Sequence, residues 1–351
     1  MNDHDPPLIS VVMPVYNAGE YVQRSVDSIL SQTMRDYEFI ILDDSSSDSS
    51  GSIIGGFSDP RIRYVQNERN IGVARTLNKG LSIARGRYIA RMDADDFSQP
   101  DRFARQFTYL ENHQDIDILG SWVWRFDEKK KFLLRFPTGS DTVNAYMLFG
   151  NPLAHPTVMM RREVLRKAAL QYDPDCRAAQ DFDLWSRCQE CCSMDNIPAP
   201  LLGWRHNHSG VTSSRLSQSN AVSMKILAKM LEKLDVAVDG QRLKFHREVG
   251  NGSGVGTLEE LGGVEEWLEY LLTVNQRKEV FVQQGLLRAA AFVWYRVCLN
   301  SSGIGLKVVH KYLRSPLRRW YRPGKEEVCY FLANAVLKLN RKPTGNVSSL
   351  Q

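Results

Sequence analysis

Three aspartates crowd one stretch of the chain, Asp93-Ala94-Asp95-Asp96, directly after the apolar run Tyr88 to Met92. On a strand, side chains two apart point the same way. Asp93 and Asp95 are therefore expected to converge on one point past the strand end, while Asp96 turns away or caps the next turn. Like charges held that close are costly without a proton or a cation between them. Hard oxygen ligands with room for substrate phosphates suit Mg2+ or Mn2+. An isolated Asp-x-Asp is most often a solvated turn, and the buried strand before this one is what favours a metal site. A second acidic pair, Asp43-Asp44, closes the run Tyr37 to Leu42. A carboxylate placed there can accept hydrogen bonds from the N3–H of a uracil-type base or from ribose hydroxyls, and Asp44 is read as that ligand. Asp48 is read as a helix cap.

These acids need a frame that brings strand ends together. Residues 8–15, LISVVMPV, form a β-branched apolar run that ends at Tyr16-Asn17-Ala18-Gly19 and reads as a fully buried strand. Between Glu20 and Ser31 the apolar residues Tyr21, Val22, Val26, Ile29 and Leu30 recur at helical spacing. The strand Tyr37 to Leu42 completes a βαβ unit. A third strand is expected at Arg61 to Gln66, a helix from Asn70-Ile71-Gly72 to Ala84, and a fourth strand at Tyr88 to Met92. Such alternation implies an α/β fold with a mostly parallel sheet flanked by helices. Ligands bind at the carboxyl ends of such strands, where both acidic clusters fall. Strand-like fragments follow around Asp117–Trp124 and Phe132–Phe136, then helix near Thr142–Phe149 and another helix carrying Asp181. From Ser219 on the chain reads as mainly helical, with a glycine-rich break at Gly250–Gly256.

The 351 residues are enough for a catalytic domain plus an appendage, since domains usually run about 100–200 residues. The expected division is a catalytic domain at 1–215 and a mainly helical region at 216–351. Composition is that of a soluble globular chain, 43% hydrophobic and 24% charged. The net charge of +5 is mild, and the motifs of the first half are acidic, so nucleic acid is not expected as a partner. The opening MNDHDPP has no apolar run behind a basic start, so no secretory signal is read and the cytoplasm is expected. Gly285 to Leu299 is interrupted by Arg288 and Arg296 and is too short to span a membrane; it is expected to be an amphipathic helix. Cys188, Cys191 and Cys192 contain a Cys-x-x-Cys step, yet no second pair follows at zinc-finger spacing, and buried helical thiols are expected.

Taken in order, Ser10 to Asn17 (SVVMPVYN), Ser28-Ile29-Leu30-Ser31-Gln32-Thr33, Asp43 to Asp48 (DDSSSD), Asn70-Ile71-Gly72 and Asp93-Ala94-Asp95-Asp96 resemble an inverting glycosyltransferase of family 2 with the GT-A fold. The resemblance covers roughly residues 8–215. It implies that Pro14, Tyr16 and Asn17 line a nucleotide pocket, with Asn70 and Gly72 also on the donor side, that Asp44 contacts the base, and that Asp95 holds the metal on the diphosphate with Asp93 nearby. The family carries its catalytic base on a later acidic segment, here Gln180-Asp181-Phe182-Asp183-Leu184-Trp185, which assigns the base to Asp181. Gln180 stands where the family usually has Glu. Read without the family, Asp181 is either an exposed first-turn aspartate favoured by the helix dipole or an acid emerging into a cleft with Leu184 as its anchor. Trp204-Arg205-His206-Asn207-His208-Ser209 resembles the family's aromatic-Arg-x-His stretch, with Asn207 at the expected His position. Arg205 is either a clamp on diphosphate oxygens or part of a structural ion pair. His155, in Asn151 to Thr157, resembles an acceptor-side segment and reads more simply as structural.

The activity implied is a single in-line displacement. Asp181 takes a proton from an acceptor hydroxyl, and that oxygen attacks the anomeric carbon of a nucleoside diphosphate sugar, a UDP-sugar being favoured. One base and no enzyme nucleophile implies inversion. The acceptor would be a saccharide or a lipid-linked molecule, in cell-surface polysaccharide, lipopolysaccharide or glycolipid synthesis. Two other classes share the donor features. A non-catalytic nucleotide-sugar binder would lack the base, and a metal-dependent nucleotidyl or phosphoryl transferase would be expected to carry a phosphate loop that the sequence does not contain. Between Lys307 and Lys325 seven Lys and Arg residues interleave with apolar ones and no Asp or Glu. This stretch is either a solvated basic face or an amphipathic surface for peripheral contact with an anionic membrane.

Overall fold

A computed structural model of the chain describes residues 6–127, 130–205 and 216–339. The first four strands are β1 (Ile9–Val15), β2 (Tyr37–Asp43), β3 (Ile62–Gln66) and β4 (Tyr88–Arg91). They pair in parallel in the order β3-β2-β1-β4. β1, β2 and β4 are covered on both faces, which is why their sequences are near-continuous apolar runs. Between them run α1 (Val22–Leu30), α2 (Ser50–Gly55) and α3 (Val73–Ile83). Past β4 the pairing is mixed. β8 (Met159–Arg161) lies antiparallel to β4 and to β6 (Ile118–Phe126), β9 (Met194–Arg205) runs parallel to β6, and β5 (Phe97–Ser98) and β7 (Lys131–Leu134) pair antiparallel at its margins. An all-parallel order is thus confined to β1–β4, which alternate with helices, while the β6–β9 pair is parallel within the mixed half. α4 (Arg102–Asn112), α6 (Arg162–Lys167) and α7 (Gln180–Cys188) belong to the same unit, residues 1–138 and 153–211.

The second unit comprises residues 139–152 and 212–351. Its helices are α5 (Ser140–Tyr146), α8 (Leu216–Lys233), α9 (Gly240–Gly250), α10 (Leu258–Lys278), α11 (Gln283–Asn300), α12 (Leu306–Arg314) and α13 (Lys325–Leu337). The inclusion of 139–152 is a discontinuity that a linear reading of composition does not carry. A buried imidazole fixes it. Trp267 Nε1–H donates to His246 Nδ1 at 3.0 Å, which leaves His246 Nε2–H to donate to Leu148 O at 2.7 Å. Burial lowers the pKa of this ring to about 4, so it stays neutral. The segment 285–299 is not the amphipathic surface helix expected. α11 is buried nearly all round, from Leu286 through Ala289–Tyr295 to Val297 and Cys298, because a helix that is apolar on every side belongs in a core. No described helix is long and apolar enough to cross a membrane.

In the first unit α3 lies so close to the sheet that only glycine fits at one contact. A Cβ on Gly80 would stand 2.5 Å from Val12 Cγ1 and 3.0 Å from Leu42 Cδ1. Both neighbours are fully buried, and valine is stiff at χ1. Helix propensity alone makes Gly80→Ala stabilising by about 1 kcal/mol, whereas overpacking costs about 1–3 kcal/mol. The expected outcome is a net loss, read as a lower urea midpoint at an unchanged slope. A rise in the midpoint would show that α3 can move off the sheet freely.

Candidate active site

The parallel ladder runs on past the strands and delivers the acids. Asp44 N–H donates to Val15 O at 2.8 Å, Asn67 N–H to Asp43 O at 2.8 Å and Met92 N–H to Val12 O at 3.1 Å. Asp44 is buried, and its carboxylate is occupied by its own chain. Oδ1 accepts from Asn67 Nδ2 and Ile71 N, both at 2.9 Å, and Oδ2 accepts from Gly72 N at 2.9 Å. Three of its roughly four lone-pair directions are therefore taken, and the loop 67–72 hangs from this one carboxylate. Gly72 has φ +88°, a backbone form that glycine adopts without strain. Asp43 is tied down in the same way by Ser46 N, Tyr64 OH and Gln66 Nε2. Asn17, at φ +49°, bridges to the next loop, its N–H donating to Ser46 Oγ and its Oδ1 accepting from Ser47 N. Asp48, read as a cap, accepts the amides of Gly19 and Ser50. Tyr16 stands 49% exposed at the mouth, Asn70 is exposed on its loop, and Pro14 is half-buried in β1.

The strand-based geometry predicted for the second cluster needs correcting. β4 ends at Arg91, and residues 93–96 form a turn, closed by Asp96 N–H to Asp93 O at 3.5 Å. Asp96 does not turn away. It is buried, and carboxylate oxygens of Asp93, Asp95 and Asp96 all lie within 4.8 Å of one another. Ser25, on α1, holds the turn from behind, its Oγ 2.7 Å from Ala94 O and 2.6 Å from Asp96 O. Asp93 forms an ion pair with the buried Arg91. Asp96 Oδ1 accepts from Arg205 N at 2.8 Å, while Asp96 Oδ2 is buried with no hydrogen-bond partner. Burial, then the Asp93 charge, raises the Asp95 pKa to about 6 against the lowering pull of Arg91 and Arg205; burial and both neighbouring acids raise Asp96 well above the usual range. A divalent cation fits this donor set. The ligands are hard oxygens, one of them is an orphan, and the local excess of negative charge is what a cation relieves.

Arg205, at the end of β9, reaches this turn as well. Its Nε donates to Asp95 O at 3.2 Å, and its guanidinium lies 4.4 Å from the Tyr21 ring centroid and 4.9 Å from that of Phe126. The rest of the motif, His206-Asn207-His208-Ser209, lies outside the described residues. Arg102 is fully enclosed behind the cluster, donating to Arg91 O at 2.8 Å and to Gln106 Oε1 at 3.0 Å, and burial lowers its pKa to about 9. Arg91, Arg102 and Ser25 were missed from the sequence. The available signal was an arginine inside an otherwise apolar buried run, YIARM.

Asp181 opens α7 behind Ala179, whose φ of +54° breaks the chain direction into the helix. The exposed first-turn alternative is overturned, for Asp181 is only 3% exposed, with Leu184 and Trp185 fully buried beside it. Tyr172 is buried, and its pKa is raised, first by burial, with smaller upward contributions from Asp181 and Asp93 and an opposing one from Arg91. Asn78 clamps Tyr172 by its backbone, Nδ2 to Tyr172 O at 2.8 Å and Tyr172 N to Oδ1 at 2.9 Å. The Tyr172 hydroxyl lies 2.8 Å from His155 Nε2, and burial followed by Arg91 holds that imidazole neutral. His155 is thus part of the packed wall. The expectation of buried helical thiols holds only for Cys188, the last residue of α7; Cys192 is buried and Cys191 exposed, both in the turn that follows the helix.

Residues 10–168 match the model of glycosyl transferase family 2. An uncharacterized glycosyltransferase of Methanocaldococcus jannaschii is 40% identical over 195 residues, which is 54% of this chain and 67% of that one. The chain belongs to glycosyltransferase family 2. The O-antigen biosynthesis glycosyltransferase WbnJ of Escherichia coli is 28% identical over 234 residues, 62% of this enzyme and 87% of WbnJ. Among solved structures, S. aureus TarS residues 1–349 in complex with UDP-GlcNAc aligns with a TM-score of 0.55 at 14% identity, over 89% of each chain, and shares the GT-A-type fold of this glycosyltransferase.

The raised acid pKa sets a pH dependence for the metal-free enzyme. Asp95 titrates at about 6 when folded and near 3.8 when unfolded. The folded state therefore binds more protons between those values, and stability falls as pH rises through that window. We expect the melting temperature of metal-free protein to drop between pH 4 and pH 6 relative to Asp95→Asn, and Mn2+ to remove most of the difference. Parallel profiles for the two proteins would mean that the cluster carries no charge stress.

Proposed function

We propose that the enzyme is a metal-dependent, inverting glycosyltransferase that moves a sugar from a nucleoside diphosphate sugar to an acceptor hydroxyl. The observation that carries this reading is the half-buried turn 93–96, where three carboxylates, one with an orphan oxygen, gather beside Arg205. Asp95, Asp96 and Asp93 would hold the metal, and a bound Mn2+ or Mg2+ would neutralise charge on the departing diphosphate. Arg205 is suited to the diphosphate oxygens because its fork is already oriented by two aromatic faces. Tyr16 would cover the base. Asp44 supports the donor by fixing the loop 67–72 and keeps one lone-pair direction for the nucleotide. A UDP-sugar is favoured, the class that TarS holds in its complex. The WbnJ likeness supports an acceptor in cell-surface polysaccharide or lipopolysaccharide synthesis. The basic stretch 307–325 is read as a face for peripheral contact with anionic membrane.

Asp181 is the base. Burial keeps water from competing for its carboxylate, and α7 holds it through Leu184 and Trp185. Asp181→Asn preserves shape and removes the proton acceptor. We expect kcat to fall about a hundredfold to ten-thousandfold, while the melting-temperature rise produced by nucleotide sugar with Mn2+ stays intact. NMR of the product should show inversion at the anomeric carbon. Retained configuration, or full activity in the variant, would remove Asp181 from this role.

A further inference from the structure

We propose that the outer face of α13 inserts into a lipid bilayer, and that the cations around it select anionic lipid. The proposal rests on the membrane reading of 307–325 and adds the apolar element such a face needs, which lies beyond that stretch. From Val328 to Leu337 the sequence VCYFLANAVL has no charged residue. One side of this helix is accounted for. Phe331, Asn334 and Ala335 are buried, and the Phe331 ring packs edge-on to Tyr295 and Tyr312 with centroids 6.0 and 5.8 Å apart. Val328, Leu332 and Val336, spaced four apart, face elsewhere and are 39%, 40% and 63% exposed; Leu337 and Leu339 are 65% and 49% exposed. A helix on a water-facing surface carries polar residues on that side, and a continuous apolar stripe left open marks an interaction surface.

The surroundings identify the partner. Arg318, Arg319 and Arg322 are exposed just before α13, Lys325 opens it ahead of Glu326 and Glu327, and Lys338 follows it, so cations outnumber acids around the stripe by five to two. Trp320 and Tyr330, each 37% exposed, are the amphipathic aromatics that sit well at a membrane interface. On α12, Leu306 and Leu313 are 59% and 49% exposed. A groove of about 640 Å³ there is lined by Leu258, Leu306, Lys307, His310, Lys311 and Arg314, apolar at one side and cationic at the other. A second copy of the chain is a poor occupant, since a two-fold contact through this face would bring together two surfaces of the same positive excess. A surface carrying phosphate headgroups supplies the opposite charge over the whole patch, and its acyl region takes the apolar stripe.

The test is sedimentation of the full chain with vesicles of phosphatidylcholine, with and without phosphatidylglycerol, over a range of salt. We expect partition into the phosphatidylglycerol vesicles that weakens with salt. Leu332→Asp/Val336→Asp should lower it about tenfold or more at every salt concentration, with an unchanged melting temperature because both sites are exposed. Arg318→Glu/Arg319→Glu should remove the preference for anionic lipid. Wild-type protein that binds neither vesicle overturns the inference, and equal partition into both overturns the choice of anionic lipid. If the arginine variant loses binding while the aspartate variant binds like wild type, the basic-stretch reading stands and insertion by α13 falls. A dimer by light scattering that the aspartate variant converts to monomer would make this face a contact between copies instead.

Discussion

Negative charge packed into a half-buried turn is the constraint on which the catalytic unit depends. Two unit charges 4.8 Å apart repel by about 3 kcal/mol at an effective dielectric of 20, and three ionised carboxylates would make three such pairs, which is why Asp95 and above all Asp96 hold their protons to higher pH. A typical domain is stable by only about 5–15 kcal/mol, so the turn can persist only if something opposes that repulsion. Arg91 answers for Asp93, and the amide of Arg205 for one oxygen of Asp96. What remains is centred on Asp95 and on the orphan oxygen of Asp96, and this is where the proposed cation would enter.

The surrounding framework reads as a response to that stress. Ser25 gives its hydroxyl to the carbonyls of the turn, Arg102 braces the Arg91 carbonyl, and Gln106 links Arg102 to the carbonyls of Leu119 and Thr157. These groups come from α1, α4, β6 and the segment before β8, so the turn is held from several elements at once. On the donor side Asp44 performs the opposite operation. There a buried carboxylate is stabilised by three donors of its own chain and in return fixes a loop that has no other regular structure. Two clusters of the same residue type thus differ because the Asp44 carboxylate is supplied with three N–H donors, whereas Asp96 receives one and keeps an orphan oxygen.

The sequence carried the parallel half of the sheet well. Long apolar runs ending in polar turns have few alternatives, and β1, β2 and β4 fall where those runs do. It carried less of the mixed half, since β5 and β8 are two and three residues long and take their pairing from tertiary context. Within the site, Asp93 and Asp95 were legible as a pair, while the role of Asp96 was misjudged. Period-two reasoning holds on strands, and this cluster sits on a turn where the adjacent Asp95 and Asp96 can both approach Asp93. Arg102 and Ser25 were not legible for a related reason, since the groups they brace approach them only in space, whereas Arg91 stood out as a charge inside an apolar run. The burial of α11 was underestimated because two arginines inside an apolar helix look like a polar face, although Arg296 spends its charge on Tyr146 OH and Asn251 O.

Asp181 illustrates how position overrides residue type. An aspartate in the first turn of a helix is ordinarily a solvent-facing dipole partner, and nothing local distinguishes this one. What distinguishes it is the left-handed Ala179 before it and the buried Leu184 and Trp185 after it, which press the first turn of α7 into the core. Nearby, Asn78 holds the buried Tyr172 in place by its backbone. A carboxylate on a flexible surface turn could be hydrated at will; one buried in the first turn of a helix whose next turn is locked by Leu184 and by Trp185, itself packed edge-on to His155, is held in one orientation, which is what the role proposed for Asp181 would require.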